Sequence, residues 1–351
     1  TDIRGSSSRI GCRVVDAEGR QGVADTDDLS RGAIGGLVDL CLENCRASEP
    51  EPDVVFYGGK AQETPHFEIF DADIVGIDHS ERQERCRAMH ALAARMDDRV
   101  LSVREASWSD GSGSTLYASS EGFLGWYDDT WASCSVTVVL SDGNAHEMAG
   151  AYAESRRVAD IDHESVAREA VERGILTLGG KPAATGVYDV VLDPEAAASL
   201  VESLGELFLA SEVFKNRSML KDRIGEKVGA ECLTLVDDGT SPWGIGTSPW
   251  DGEGVPSSRT VLMERGMVSS FLYDLKYARK FKARSTGNAS RSPGSLPEVG
   301  FSNLFVVPGE RSPRRILQDC TGGILVTELM GVHTIDPISG DFSLGIKGAM
   351  I

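Results

Sequence analysis

Residues 131–155 read WASCSVTVVLSDGNAHEMAGAYAES. Two runs rich in small and β-branched residues, Trp131 to Leu140 and Met148 to Ser155, flank Asp142-Gly143-Asn144. Gly and Asn tolerate positive φ, so the tripeptide reads as a hairpin turn and the runs as its strands. Working back toward the N-terminus, Val100 to Trp108, Ser114 to Ser119 and Gly122 to Tyr127 read as further strands of one meander, with Gly111-Ser112-Gly113 as a turn. A separate hairpin is expected over residues 10–24. There Ile10, Cys12 and Val14 alternate with polar neighbours, Glu18-Gly19 turns, and Gly22-Val23-Ala24 returns.

Helical periodicity interrupts these strands. Asp25-Thr26-Asp27-Asp28 supplies capping oxygens for a helix from about Leu29 to Ala47, with Leu37, Leu40 and Cys41 on one face. Its three glycines weaken it. Glu49 to Pro65 reads as loop. A second helix is predicted over 79–97 on Cys86, Met89, Ala93 and Met96, and a third over 163–178, capped by Asp162, with Val166, Ala170 and Ile175 inward. Lys181 to Gly186 reads as a linker, which divides the chain into domains of residues 1–182 and 183–351. After a short strand at Val187 to Leu192, Pro194 suits a first helical turn, where its missing N–H costs nothing. That helix is predicted to reach about Phe214, with Leu200, Leu204, Leu207 and Phe208 at core spacing. Strands are then expected at Leu233–Val236, Val261–Met263, Gly266–Leu272, Leu304–Val307 and Gly323–Glu328. The fold class is therefore α+β: an N-terminal mixed sheet with long helices, plus a β-rich C-terminal domain.

Of 351 residues, 54 are acidic and 35 basic, a net charge of −19. Nucleic-acid binding needs clustered cations to displace phosphate counterions, so this balance argues against direct nucleic-acid contact. No run approaches the ~18 apolar residues of a membrane span. Thr1 to Gly5 carries no signal-peptide pattern and no initiator Met, as if the chain were trimmed. Seven scattered cysteines form no CxxC pair, so reduced thiols and a cytoplasmic address are expected.

Familiar cofactor motifs fail on spacing. Gly111-Ser112-Gly113 lacks a third glycine for a dinucleotide turn, and Gly179-Gly180-Lys181 ends in Pro182 where a phosphate loop needs Ser or Thr. The histidines at 66, 79, 90, 146, 163 and 333 include no pair three or four residues apart, so no helix carries a His pair for zinc.

Three groups of residues do carry a resemblance. They are Ser119-Ser120-Glu121-Gly122-Phe123-Leu124-Gly125; Thr247 to Val255 (TSPWDGEGV) with Ser285-Thr286-Gly287-Asn288-Ala289; and Val326 to His333 (VTELMGVH) with Pro337 to Gly345 (PISGDFSLG). In this order and spacing the chain resembles the TldD/TldE (PmbA) family of metalloprotease-related proteins, also labelled modulators of DNA gyrase. The resemblance covers essentially the whole chain. It implies an α+β fold, and a chain short of the family pattern at both ends.

The family's catalytic TldD branch carries H-E-x-x-x-H on the helix that matches the one after Pro194. Two His four apart share a helical face and bind zinc, while the Glu activates the metal-bound water. Here the stretch is Val201-Glu202-Ser203-Leu204-Gly205-Glu206. Val201 cannot ligate, so the vestigial motif retains Glu202 and Glu206 only. The resemblance thus implies a TldE/PmbA-like subunit with no metal of its own, paired with a zinc-bearing TldD-like chain or with itself, acting on peptides. Thr286, Gly287, Asn288, Glu328, His333, Asp341, Asp251 and Glu253 would line or brace the peptide groove, with Thr286 to Asn288 offering backbone groups for strand addition. Two alternatives stay open. One is a peptidase in its own right, with His333 and carboxylates such as Asp341 or Glu206 converging on a metal. The other is a homodimeric peptide-binding protein without a catalytic partner.

Overall fold

The computed structural model describes residues 3–59 and 67–351. His66 and the last part of the loop expected at Glu49 to Pro65 lie outside the described residues.

The chain opens with an antiparallel hairpin, β1 (Ile10–Val15) and β2 (Gln21–Thr26). Helix α1 (Arg31–Ala47) covers it and buries Leu37, Cys41 and Cys45. Leu40, expected inward, is exposed. The buried stripe runs Leu37–Cys41–Cys45 in steps of four, which turns Leu40 a quarter of the way round the helix. The cap also differs from expectation. Asp25 and Thr26 belong to β2, Asp28 Oδ1 accepts from Ser30 N, and it is the Ser30 hydroxyl that receives Ala33 N.

A short helix, α2 (Ala72–Gly76), leads to α3 (His79–Met96), capped by Asp78. The sheet that follows is an antiparallel meander of β3 (Val100–Ala118), β4 (Leu124–Ser141) and β5 (His146–Ser155). Ala132, Cys134, Val136, Val138 and Leu140 alternate inward from β4. They meet Met89 and Ala93 of α3 and Val166, Ala167, Ala170 and Val171 of α4 (His163–Thr177). Asp162 caps α4 through Ser165 N, as the sequence predicts.

Gly111-Ser112-Gly113 is not a turn. β3 runs straight through it, pairing Gly111 with Trp131 and Gly113 with Asp129. A Cβ on Gly111 would stand 2.9 Å from Trp131 Nε1, so glycine here makes room for a cross-strand indole. The turn signal marked a close approach instead.

The second half begins with β6 (Val190–Leu192) and α5 (Pro194–Gly205). The single helix expected to reach Phe214 is broken. After α5 comes a 3₁₀ turn, Glu206–Phe208, then an extended Leu209, then α6 (Ala210–Phe214). The break lets Leu207 and Phe208 both enter the core, and Leu272 bridges it by donating to Phe208 O and accepting from Ala210 N. Leu204 is left exposed.

Then follow β7 (Leu235–Asp238), β8 (Arg259–Glu264), β9 (Met267–Val268), α7 (Leu275–Phe281), β10 (Ala289–Ser290), β11 (Glu298–Val299), β12 (Leu304–Val306), α8 (Pro313–Asp319), β13 (Ile324–Met330) and β14 (Gly345–Met350). The strand expected at Gly266–Leu272 shrinks to β9, because Ser269 N and Ser270 N both turn back to Leu262 O. Antiparallel β12-β7-β8-β9 forms one sheet and β10-β11 a ribbon, while β13 pairs parallel to β6 and antiparallel to β14. Leu207, Phe208, Leu262, Phe271, Leu272 and Tyr277 centre the second core. The molecule is α+β. Among the described residues no helix is long and apolar enough to cross a membrane.

Candidate functional site

A cleft of about 1210 Å³ lies between the first hairpin, the far end of β3 and two loops of the second half. Residues 8–15, 114–120, 250–252 and 287–293 line it. Its floor is aromatic: Tyr117, Tyr127 and Trp250 line it, Tyr127 sets its ring 5.3 Å from Trp250, and the buried Phe123 packs beneath, 5.3 Å from Trp250 and 5.4 Å from Tyr117. Edge-on and tilted ring pairs of this kind fix one another's orientation. Two strands on its walls, β1 and the end of β3, each pair on one side only among the described residues.

Buried carboxylates build the loops of the cleft. Asp251 Oδ1 accepts from Glu253 N at 2.9 Å and Val255 N at 3.0 Å, and its Oδ2 accepts from Ala289 N at 3.0 Å. One side chain therefore ties loop 251–255 to β10. Burial pushes its carboxyl up to about 7, against the pull of those three N–H donors. Beneath it, Glu253 Oε1 meets Arg13 Nη1 at 3.2 Å, and Oε2 accepts from Leu275 N at 2.9 Å. Burial also lifts the Glu253 carboxyl, although Leu275 N–H and Arg13 oppose it. Asp237, wholly buried, accepts from Asn288 Nδ2, Ser302 Oγ and Ser302 N at 2.7–2.8 Å. Asn288 Oδ1 is buried with no hydrogen-bond partner among the described residues.

The expected site residues thus separate. Asp251, Gly287 and Asn288 line the cleft, with Glu253 just below. Thr286 lies behind the cleft wall, where its N–H donates to Tyr273 O, its hydroxyl receives Tyr273 N, and its own carbonyl receives Ser258 Oγ. Gly287 N donates to Ser285 Oγ, and Asn288 O receives Gly300 N. These occupied groups leave little backbone at 286–288 for strand addition; among the described residues, the cleft walls offer instead the unpaired edges of β1 and β3. Gly287 itself sits at φ 72°, with no room for a Cβ beside Pro256 O. Glu328 is remote from the cleft, pairing with Lys347, which also holds Glu147. His333 and Asp341 lie exposed in turns after β13, and Glu202 and Glu206 are exposed at the end of α5.

Arg13, Tyr117 and Arg291 escaped the sequence reading. No local motif marks them, because their partners are far away in sequence; Arg13 and Glu253 are 240 residues apart. A faint signal existed at Gly11, whose Cβ would fall 2.0 Å from Pro293 O. Only glycine lets β1 lie that close to the 290s segment. Gly11→Ala is expected to displace the hairpin and cost about 1–3 kcal/mol, the usual range for overpacking. Thermal unfolding reads the loss, and a shift below about 1 °C would show that the contact gives way easily.

Residues 73–178 match the PmbA/TldA metallopeptidase central domain, and residues 185–351 match the C-terminal domain of the same family. The chain belongs to the PmbA/TldD metallopeptidase family. It is 32% identical to a metalloprotease of Methanocaldococcus jannaschii over 66% of this chain and 51% of that protein. It is 26% identical to the metalloprotease PmbA of Escherichia coli O157:H7 over 94% of this chain and 72% of that protein. Among solved structures, a protein from Thermotoga maritima described as a modulator of DNA gyrase superposes with a TM-score of 0.85. That alignment has 25% identity and covers 97% of this chain and 77% of the other. The chain spans 51–64% of the length of its first three curated relatives.

The zinc motif that the resemblance implies would stand on α5. Val201 packs against the second core, and Glu202 and Glu206 stand exposed. Among the described residues no three His, Cys, Asp or Glu side chains gather as a metal site. With an apolar Val201 in place of the first ligand, the donor set on this helix does not fit the H-E-x-x-x-H zinc motif that the resemblance implies.

Proposed function

We propose that this chain is a TldE/PmbA-like, peptide-binding subunit of a TldD/TldE-type metallopeptidase, in which a TldD-like chain supplies the zinc and the chemistry. The observation that carries the reading is the cleft. Two strand edges unpaired among the described residues, β1 and the end of β3, wall an aromatic-floored groove, and an extended peptide can pair with either edge. Nothing in the donor set of α5 replaces the missing histidines, so cleavage falls to the partner.

The test is cleavage of fluorescein-labelled casein by the purified chain, alone and mixed with a zinc-bearing TldD-like chain co-purified from the same cells, alongside zinc content by elemental mass spectrometry. The expected result is far less than one zinc per chain, no cleavage alone, and chelator-sensitive cleavage by the mixture that exceeds that of the partner alone. About one zinc per chain surviving dialysis, with chelator-sensitive cleavage by the chain alone, would overturn the reading in favour of a self-sufficient peptidase. Recovery of self-pairs only would favour a homodimeric binding protein.

A further inference from the structure

The charged residues lining the cleft are Arg9, Arg13, Asp251 and Arg291, a cationic balance inside a chain whose net charge is −19. Three of the four are accounted for. Arg9 pairs with Asp25 at 2.7 Å, Arg13 with Glu253 at 3.2 Å, and Asp251 holds three backbone N–H groups. Arg291 differs: among the described residues its guanidinium makes no hydrogen bond and no ion pair, although the residue is partly buried. Burial, together with the like charge of Arg13, holds it below its ordinary value. Tyr117, on the end of β3, is its electrostatic neighbour, and the Tyr117 hydroxyl also makes no hydrogen bond among the described residues. Two residues further along, Ser119 Oγ is shielded from solvent and unpartnered.

Glu253 is the carboxylate whose charge favours the Arg291 cation, but no hydrogen bond or ion pair joins them among the described residues, so the fork of the half-buried guanidinium is open on the cleft side. Five N–H donors in a planar fork match the two oxygens of a carboxylate. Asp251, the carboxylate that lines the same cleft, is already committed to backbone donors. The Arg291 fork is therefore free to receive an acceptor from a ligand in the cleft.

We propose that the cleft recognises a carboxylate on an extended peptide, held by the Arg291 guanidinium and the Tyr117 hydroxyl. This rests on the peptide-binding reading above. The carboxylate is either the peptide's own C-terminus or an acidic side chain, and both offer the same two oxygens.

The test uses the purified full chain and four N-terminally fluorescein-labelled alanine–leucine hexapeptides, followed by fluorescence anisotropy. One ends in a free carboxylate and one in a carboxamide; the other two are carboxamides with a central Glu or Gln. The acid form, or the Glu form, is expected to bind roughly tenfold tighter than its neutral counterpart, the scale of one charge-assisted pair. Which of the two shows the preference identifies the source. Arg291→Gln should erase the preference of the acid over the neutral form. Tyr117→Phe, which keeps the ring, should cut it roughly threefold. Arg291→Lys should retain part of it, because a point charge replaces the fork. Equal binding of charged and neutral peptides, or an undiminished preference in Arg291→Gln, overturns the carboxylate assignment and leaves the peptide cleft standing. Failure of all four peptides to bind removes both.

Discussion

Arg13→Ala is expected to destabilise the protein by about 3–5 kcal/mol, the cost of stranding a buried charge. Arg13 and Glu253 side chains are each 4% exposed, and they join the first hairpin to a loop near the middle of the second half. Without the guanidinium, the Glu253 carboxyl keeps Leu275 N–H as its hydrogen-bond donor. Its raised position must then rise further. For a carboxyl whose folded value exceeds its unfolded value, the folded state binds the extra proton, and stability falls as pH rises toward the folded value. The penalty in Arg13→Ala should therefore be larger at pH 8 than at pH 5. Adding Glu253→Gln removes the stranded charge while keeping an acceptor for Leu275 N–H, and should recover most of the loss. Urea midpoints of the three variants at both pH values decide the matter. A penalty below about 1 kcal/mol with no pH dependence would mean that water reaches the pair and screens it like a surface bridge.

Asp251→Ala should cost roughly 3 kcal/mol or more at pH 5, because it leaves three buried backbone N–H groups without an acceptor. The loop they hold is one wall of the cleft, so peptide affinity should fall with stability. The pH profile gives a separate reading. The unfolded carboxyl titrates near the ordinary aspartate value of 3.8, and burial pushes the folded one up to about 7. Between those values the folded protein carries the additional proton, so this group's contribution to stability declines as pH rises through the window and levels off above it. Asp251→Asn cannot titrate. It should flatten that decline, and its cost relative to the parent should shrink between pH 5 and pH 8. An Asp251→Asn cost that grows with pH would show that the three N–H donors outweigh burial and hold the carboxyl low.

Both predictions concern residues whose importance was visible very unequally in the sequence. Asp251 and Glu253 stand in a short Gly-rich run that carries the family resemblance, so they were legible as candidates. Their task was not. Whether a carboxylate faces a substrate or braces a loop depends on which N–H groups surround it. Here those groups come from Ala289 and Leu275, tens of residues away. Thr286 shows the same limit: it shares a motif with Gly287 and Asn288, yet its polar groups meet Tyr273 and Ser258, away from the cleft.

Local signals determined the local structure well. Hydrophobic period and capping oxygens marked α3 and α4 to within a residue or two, and Asp142-Gly143-Asn144 marked the β4–β5 hairpin, because these depend on neighbours in the chain. The α+β class and the absence of the helix His pair follow from the sequence alone. Long-range packing decided the rest. Gly111-Ser112-Gly113 stayed extended because Trp131 lies across it, and the helix after Pro194 broke so that Leu207 and Phe208 could both reach the core. The cleft itself is tertiary. β1, the end of β3 and β10 come together only when the first hairpin docks through Gly11 and Arg13, since burial and charge pairing between distant segments leave no period in the chain.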